Sequence, residues 1–397
     1  MGARDAGATA GGAMACAMGS MDLIRPLGLA GLRCAAVAEP GSDVFHSRFV
    51  DVALPCEDVR TGADGLLDAL MRFGASQPRA PVLFYEQDAH LAFVSEHRDV
   101  LARAFRFVIP DRDVVEDLVD KARFQALAER LRLPVPAARR ISPASEAPPD
   151  DSNLRFPAVV KPLTRGAGWD DLADSAKAVR VDTPQGLRDL WPKLAQDGAD
   201  LLLQEMVPGA EDRIESYHVY ADEGGRVAAE FTGRKVRTYP LSCGHSTALT
   251  VTDAADVAAL GRALTGRIGL RGVAKFDFKR GPDGALHLLE INPRFSLWHH
   301  LGAVAGVNIP AIVYADMVRA PRPAPARARA GACWCTLSRD RRAAKAGGVP
   351  LRAWLPWAIR CEAKSVLAWD DPMPYLRGKL TRRVRPAAPS AREGARG

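Results

Sequence analysis

The chain has 397 residues, of which 47% are hydrophobic and 25% charged, and its formal net charge is +7. These values are typical of a globular protein with two or three domains, and they exclude a wholly disordered or fibrous chain. The sequence contains no run of about 18 apolar residues, so we expect no transmembrane helix. The basic excess favours anionic ligands without selecting one of them.

Residues 1–110 alternate short apolar runs with helical patterns. The pattern is carried by two apolar runs and two stretches with helical spacing, residues 34–38, 81–85, 65–73 and 93–105. Such alternation predicts a parallel sheet covered by helices. The first strand is poorly marked, because residues 7–19 are small and rich in glycine, and we expect an irregular sheet edge there.

One continuous helix is predicted over residues 111–131. Its buried stripe follows the spacing i, i+3, i+4, i+7, at Phe124, Leu127, Ala128 and Leu131. Prolines at positions 134 and 136 end it.

From residue 156 onward, after a linker over 142–153, apolar strands follow one another and predict antiparallel α+β structure. The predicted strands are residues 158–161, 201–205, 217–220, 227–231, 273–278 and 286–291, with a helix at 253–268. A second linker, rich in Pro, Ala and Arg, spans 319–330. Beyond it, residues 331–378 form a Trp-containing extension, and we expect residues 379–397 to be a basic disordered tail.

The strongest signal for a site is a predicted hairpin with a Gly-Pro-Asp-Gly turn at residues 281–284. Side chains of a strand alternate between the two faces of a sheet. Asp277 on the first strand is therefore expected on the same face as Glu290 and Asn292 on the second, together with Leu288. Two carboxylates and an amide oxygen are ligands that Mg²⁺ prefers when it also binds phosphates.

The alternative is a hairpin with a polar face in water, which any single acidic residue would fit. The complete string Glu290-Ile291-Asn292-Pro293-Arg294 fits it less well, because it ends an apolar strand opposite a second carboxylate. This string resembles the metal-binding signature of the ATP-grasp superfamily. Its arginine, Arg294, is a planar cation suited to phosphate or carboxylate.

The rest of the chain is similar to that superfamily, with the expected pieces in the same order over about residues 110–317. The resemblance implies two ATP-binding lysines, a glycine loop over the phosphates and a strand end that meets adenine, at Lys121, Lys161, Gly166, Gly168, Glu205, Met206 and Val207. Glu211, or Asp212 after a one-residue shift, would hold the ribose. The implied ligands of Mg²⁺ or Mn²⁺ are Asp277, Glu290 and Asn292.

The fold implied by the resemblance is α/β plus α+β. An N-terminal parallel α/β (pre-ATP-grasp) domain at 1–110 precedes a two-subdomain ATP-grasp fold with antiparallel sheets at 111–318. A small lid subdomain is expected at about 135–205 and a C-terminal subdomain at about 206–318. The linker, the extension and the basic tail complete the expected domain organisation.

The implied activity is that of a ligase that uses Mg·ATP to convert a small-molecule carboxylate into an acyl phosphate and joins it to an amine or a related nucleophile. The layout looks most like the carbamoyl-phosphate-synthase-like and D-aspartate-ligase-like members. Arg294 would stabilise the transferred phosphate together with Lys235 or Arg234. A biotin-carboxylase-like reaction and a nucleotide-binding protein without catalysis are the alternatives.

Substrate specificity is expected to lie in Asp88 and in residues 242–247 and 296–300. Cys243 has no evident base partner, so we expect a substrate-facing loop rather than a thiol nucleophile. His299 and His300 are adjacent in a predicted helix and cannot share one face, which favours a role in packing or in the substrate pocket over metal binding.

The seven cysteines are scattered and include no CxxC pair. This pattern favours a reducing cytoplasm over a disulfide framework. No nucleic-acid-reading motif accompanies the basic charge, so we expect neither nucleic acid nor a membrane as a partner. A homodimer is a reasonable expectation.

Overall fold

The computed structural model describes residues 12–149, 154–163, 169, 172 and 178–384, with only the backbone described at 379–384. Its N-terminal part is a four-stranded parallel sheet in the order β3-β2-β1-β4. The strands are β1 (Ala15–Met18), β2 (Cys34–Ala38), β3 (Val52–Pro55) and β4 (Val82–Tyr85). The accompanying helices are α1 (Met21–Leu29), α2 (Ala63–Ser76), α3 (Asp88–Glu96) and α4 (Arg98–Leu101).

The first strand, β1, lies in the middle of this sheet. It pairs with β2 on one side and β4 on the other, so the expectation of an irregular edge is wrong. Ala15 and Ala17 face one hydrophobic core, while Cys16 and Met18 face another. Both faces are covered, so small side chains that fit between close-packed layers take the place of the usual Val and Ile.

Two helices replace the single helix predicted over 111–131. They are α5 (Arg112–Val119) and α6 (Lys121–Arg130). Asp120 separates them because its side chain accepts a hydrogen bond from the backbone N–H of Arg123 at 2.8 Å and caps the second helix. The helix predicted over 93–105 likewise begins earlier, at Asp88, and is interrupted at His97.

A second, antiparallel sheet has the order β5-β8-β6-β7. It consists of β5 (Ala138–Ile141), β6 (Ala158–Pro162), β7 (Val179–Val181) and β8 (Leu201–Glu205), with helix α7 (Pro184–Asp197). The sheet has its own hydrophobic core, in which Trp169 and Trp191 pack against Val160 and Leu203. Lys161 and Glu205 are thereby held on neighbouring strands.

The largest sheet has seven strands in the order β13-β12-β9-β10-β11-β14-β15. Its strands are β9 (Ile214–Ala221), β10 (Val227–Tyr239), β11 (His245–Thr252), β12 (Gly272–Arg280), β13 (Leu286–Asn292), β14 (Cys333–Cys335) and β15 (Ala363–Lys364). The helices of this part are α8 (Ala255–Ile268), α9 (Trp298–Val304), α10 (Ile309–Met317), α11 (Leu337–Ala346), α12 (Leu351–Arg360) and α13 (Met373–Val384). None of the helices in the described ranges is long and apolar enough to cross a membrane.

The C-terminal extension adds strands to this sheet and contacts Arg25 of α1 in the N-terminal part. Strand β14 pairs with β11, and β15 pairs with β14. Buried Arg25 donates hydrogen bonds to the carbonyl oxygens of Lys364 (2.7 Å) and Val366 (2.6 Å). Its Nε also lies 3.6 Å from the buried carboxylate of Asp371. Breaking one partner of such a buried pair is costly, so these contacts fix the extension in place.

Gly261 in α8 provides a test of the packing between this helix and the large sheet. A Cβ atom at Gly261 would lie 2.2 Å from the ring of Tyr217, whereas one at Gly266 in the same helix meets nothing within 4 Å. We expect Gly261→Ala to lower the free energy of unfolding by about 1–3 kcal/mol through overpacking. The matched control Gly266→Ala should raise it by about 0.5–1 kcal/mol. Urea unfolding measures both, and a stabilised Gly261→Ala variant would contradict this packing.

Candidate active site

A cleft of about 1070 Å³ is lined by residues from the two antiparallel sheets and from the helices α3, α5 and α6. It brings together ten of the predicted site residues: Lys121, Lys161, Glu205, Met206, Val207, Glu211, Lys235, Asp277, Glu290 and Asn292. Asp88, Cys243 and Gly244 also line it. The predicted loop residues Gly166 and Gly168 lie outside the described residues.

Two lysines mark one wall of the cleft. Lys121 is the first residue of α6, and its Nζ donates a hydrogen bond to the carbonyl oxygen of Leu163 at 2.9 Å, just beyond β6. Lys161, within β6, donates to Oε1 of Gln204 on β8 at 2.8 Å. The helix cap at Asp120 and the strand pairing thus hold two cations against one cavity.

The end of β8 offers polar groups at the same wall. Oε1 of Glu205 accepts a hydrogen bond from the N–H of Arg155 at 2.9 Å. The N–H of Met206 donates to the carbonyl oxygen of Pro157 at 3.0 Å. Since that N–H is already used by the fold, a ligand donor at this edge would be the N–H of Val207 rather than that of Met206.

The β12–β13 hairpin places the predicted metal ligands side by side. Asp277 pairs with Glu290, and Lys275 pairs with Asn292, so these four residues are neighbours on the hairpin, and all of them except Lys275 line the cleft. The predicted position of Leu288 on their face is wrong. The register shifts by one residue between Asp277 and Phe278, and Leu288 is consequently buried in the opposite core.

The two carboxylates of the hairpin have different surroundings. Asp277 is only 1% exposed; its Oδ1 accepts from the Ser216 hydroxyl at 2.5 Å, and its Oδ2 lies 2.7 Å from Nζ of Lys275. The side chain of Glu290 is 44% exposed, and its Oε1 accepts from Nδ2 of Asn292 at 3.2 Å. The carboxylate of Asp277 is therefore buried and neutralised in the floor, while that of Glu290 is half-exposed at the cleft and lies 3.8 Å from Nζ of Lys275.

This donor set suits a cation that obtains most of its ligands elsewhere. Across the described part of the chain, no three His, Cys, Asp or Glu side chains cluster closely enough to hold a metal by themselves. Glu290 and Asn292 provide carboxylate and amide oxygens, which fit Mg²⁺ when phosphate oxygens and water complete the shell. The residues present thus fit a metal that arrives with a polyphosphate.

Lys235 and Lys279 add two buried cations to the floor of the cleft. Nζ of Lys235 lies 3.8 Å from Asp277, and Nζ of Lys279 lies 3.9 Å from Glu211. These distances exceed hydrogen-bond length, so both ammonium groups keep their donors for a ligand. The sequence-based assignment missed Lys279, although strand alternation from Asp277 places it on the same face.

The two ammonium groups differ in their electrostatic balance. Burial acts to lower the pKa of Lys235, but the carboxylates of Asp277, Glu290 and Glu211 outweigh it and raise that pKa. For Lys279, burial dominates over the attraction of Glu211 and lowers the pKa. Lys235 thus remains firmly charged, whereas Lys279 would gain more from an anion placed beside it.

The two predicted arginines do not line the cleft. Arg234 is exposed on the face of β10 opposite Lys235, because neighbouring strand residues point to opposite sides. Arg294 lies at the rim, where its Nε contacts Asp88 at 2.5 Å and its Nη1 donates to the carbonyl oxygen of Glu86 at 2.8 Å. Its Nη2 donates to Oδ1 of Asn292 at 3.3 Å, so Arg294 joins the hairpin to the parallel sheet.

The remaining predicted residues divide between the cleft and the core. Glu211 lines the cleft, unlike its neighbour Asp212. His299 and His300 are buried, and His300 lies 3.2 Å from a carboxylate oxygen of Asp22. Burial lowers the pKa of His299 to about 4, so this ring is neutral at physiological pH. Both histidines pack the core behind the site.

Comparisons with known proteins agree with this architecture. A family profile described as "ATP-grasp in the biosynthetic pathway with Ter operon" matches residues 197–335. The ADP complex of N5-carboxyaminoimidazole ribonucleotide synthetase is similar with a TM-score of 0.62 and 15% identity, over 81% of this chain and 80% of that one. No curated protein sequence matches the chain.

Two further solved structures have the same fold. L-amino acid ligase from Bacillus licheniformis has a TM-score of 0.59 and 14% identity, over 78% of this chain and 75% of that one. The β-γ-ATP complex of biotin carboxylase from Campylobacter jejuni has a TM-score of 0.59 and 13% identity, over 81% and 74%. The chain therefore has the ATP-grasp fold, and the predicted combination of a parallel α/β layer with antiparallel sheets is confirmed.

The unequal burial of the two carboxylates gives a stability test. Asp277→Asn should lower the free energy of unfolding by about 3 kcal/mol or more, because it removes the buried counter-charge of Lys275 and Lys235. The matched change Glu290→Gln, at a half-exposed position, should alter it by less than about 1 kcal/mol. Urea unfolding at neutral pH measures both, and equal losses would refute the distinction.

Proposed function

We propose that this chain is an ATP-dependent ligase that converts a carboxylate into an acyl phosphate and joins it to an amine or a related nucleophile. The observation that carries the proposal is the cleft itself. It combines four lysines with the carboxylate–amide pair Glu290 and Asn292, whose oxygens suit a metal. A polyphosphate with its cation satisfies both sets of charges at once.

In the proposed complex, adenine lies at the end of β8, against Glu205 and Val207. Glu211 would hold the ribose hydroxyls. Lys121 and Lys161, which stand on the same wall, would neutralise the α- and β-phosphates. The γ-phosphate would then lie towards the floor, near Lys235 and the hairpin.

Mg²⁺ would be held by Glu290 and Asn292, with Asp277 behind them, and when bound it would neutralise charge between the β- and γ-phosphates. Asp277 contributes through position, because it fixes Lys275 and Lys235 beside the reacting group. A preorganised set of charges of this kind stabilises a phosphoryl transfer without moving during the step.

The proposed reaction has two steps. A substrate carboxylate oxygen attacks the γ-phosphorus, the bond to the β-phosphate oxygen breaks, and ADP leaves. The amine nitrogen then attacks the carbonyl carbon of the acyl phosphate, inorganic phosphate leaves and the nitrogen loses a proton. Lys235 would stabilise the charge of the transferred phosphate in both steps. No covalent bond to the protein is needed.

The rim contact between Arg294 and Asp88 suggests where the acid binds. The Asp88 side chain is 61% exposed and places a carboxylate on a guanidinium beside the metal ligands. A substrate carboxylate could take over the same guanidinium, since Arg binds carboxylates through paired donors. Asp88 would then swing into solvent as the acid enters.

Turnover with defined substrate pools tests the reaction class. Purified protein with Mg·ATP should release ADP and phosphate only when an acid and an amine are both present. An arm with bicarbonate and candidate acceptors detects a carboxylase instead. Tight Mg·ATP binding without turnover in any arm would show a nucleotide-binding protein and overturn the ligase proposal.

Glu290→Gln should reduce the turnover rate by at least about a hundredfold, because the open metal ligand loses its charge. Circular dichroism and thermal unfolding should match the wild type, since the side chain is half exposed. Full activity in this variant would refute the metal assignment. The readout requires a substrate pair found in the preceding experiment.

Lys279→Met should weaken Mg·ATP binding by about tenfold to a hundredfold, through the loss of one charge-assisted contact. Isothermal titration calorimetry measures this without a known acid or amine. The matched control is Lys193→Met, an exposed lysine on α7 that does not line the cleft. Equal affinities for the two variants would remove Lys279 from the nucleotide site.

A further inference from the structure

The exposed apolar side chains of the molecule concentrate in its C-terminal extension. Ten large hydrophobic side chains are exposed among the described residues, and seven of them lie between positions 351 and 376. They are Leu351, Leu355, Ile359, Val366, Trp369, Met373 and Leu376. Single exposed apolar residues need no explanation, but a concentration of them marks a surface that meets something other than water.

Helix α12 carries the most regular part of this surface. Leu351, Leu355 and Ile359 are four residues apart, so they form one stripe along the helix, and they are 48%, 46% and 65% exposed. Trp354 and Ala358, which are buried, lie on the adjoining side of the same helix. The apolar surface of the helix therefore continues from its buried side onto its exposed side.

The buried side of α12 is firmly anchored. Asp340 of α11, which is fully buried, accepts hydrogen bonds from Nε1 of Trp354 at 2.8 Å and from two nitrogens of Arg237 at 2.7 and 2.8 Å. The Arg237 guanidinium also stacks 4.1 Å from the ring of Trp357. These contacts keep the apolar stripe on the outside, because turning it inward would strip Asp340 of its partners.

The C-terminal extension also concentrates the net positive charge of the protein. Residues 337–384 contain eleven Arg and Lys against four Asp and Glu, a net charge of +7 that equals that of the whole chain. Two of the four acids, Asp340 and Asp371, are buried. Helix α11 presents Arg339, Arg342 and Lys345 to solvent, next to the apolar helix α12 on which it packs.

We propose that the α11–α12 hairpin docks this protein on an anionic lipid surface. The docking face consists of the apolar stripe Leu351–Leu355–Ile359 and the basic side chains Arg339, Arg342 and Lys345. A helix that combines aliphatic side chains with flanking cations lies in the boundary between headgroups and acyl chains of a bilayer. Trp369, which is 85% exposed, has the amphipathic ring favoured at that boundary.

The charge and the apolar side chains of the docking face favour an anionic lipid surface over two other partners, a second copy of the chain and nucleic acid. A second copy of the chain would bring one basic face against another, and the like charges would repel. Nucleic acid would satisfy the cations but would leave the aliphatic stripe in water. An anionic bilayer meets both requirements, because its headgroups attract Arg and Lys while its acyl chains receive Leu and Ile.

Vesicle flotation tests the proposal with the whole 397-residue chain. The wild type should bind phosphatidylcholine vesicles that contain phosphatidylglycerol, and pure phosphatidylcholine vesicles much more weakly. Leu355→Ser/Ile359→Ser and Arg339→Gln/Arg342→Gln should each reduce binding to the anionic vesicles by about tenfold or more. Raising the NaCl concentration from about 0.1 M to about 0.5 M should weaken wild-type binding, since the salt screens the charges.

The matched control is Arg72→Gln/Arg103→Gln, which removes two exposed charges from the N-terminal layer and should leave vesicle binding unchanged. Thermal unfolding should show that all variants are folded. Equal binding to neutral vesicles, or none to anionic ones, would overturn the proposal. If the protein does not bind vesicles, duplex DNA binding that is lost in Arg339→Gln/Arg342→Gln would assign this surface to nucleic acid. A dimer that is lost in Leu355→Ser/Ile359→Ser would instead assign it to a second copy of the chain.

Discussion

The buried carboxylate of Asp277 is the charge on which the cleft depends. It lies in the floor between Lys275 at 2.7 Å and Lys235 at 3.8 Å, and it is held from a neighbouring strand by the hydroxyl of Ser216 at 2.5 Å. Two ammonium groups can be kept close together in a poorly solvated floor only when a fixed negative charge is shared between them. Asp277 thus makes a cationic surface possible, while Glu290 beside it on the hairpin is half-exposed at the cleft.

The position of this floor relative to the parallel sheet depends on Arg294. Its guanidinium bonds Asp88 and the carbonyl oxygen of Glu86, both at the carboxyl end of β4. Glu86 itself accepts from the N–H and the hydroxyl of Ser20. Burial, with a smaller contribution from nearby Asp22, raises the pKa of Glu86 to about 6. The strand ends of the first sheet and the hairpin of the third therefore share one hydrogen-bonded junction at the cleft.

The order of the elements and the face shared by Asp277, Glu290 and Asn292 could be predicted from the sequence, because they depend on local periodicity and a strong turn. The extra residue beside Leu288 could not, since a bulge has no marker in the residue pattern. The central position of β1 was hidden for a different reason. Its small residues are selected by the layers above and below it, which are distant in sequence. Lys279 shows a third limit. Strand alternation puts it on the face of Asp277, but a single cation there gives no sign that it lines the cavity.

Buried ion pairs, like those in the cleft, also determine which side chains the C-terminal extension exposes. Asp340 accepts hydrogen bonds from Arg237 and Trp354. Arg25 lies beside Asp371 and donates to the carbonyl oxygens of Lys364 and Val366. These contacts bury polar groups that would otherwise face water. What remains outside on α11 are the cations Arg339, Arg342 and Lys345, beside the aliphatic side chains of α12. Such a cluster of exposed cations is attracted to an anionic surface, so the interior pairing leaves outside the side chains that we assign to lipid.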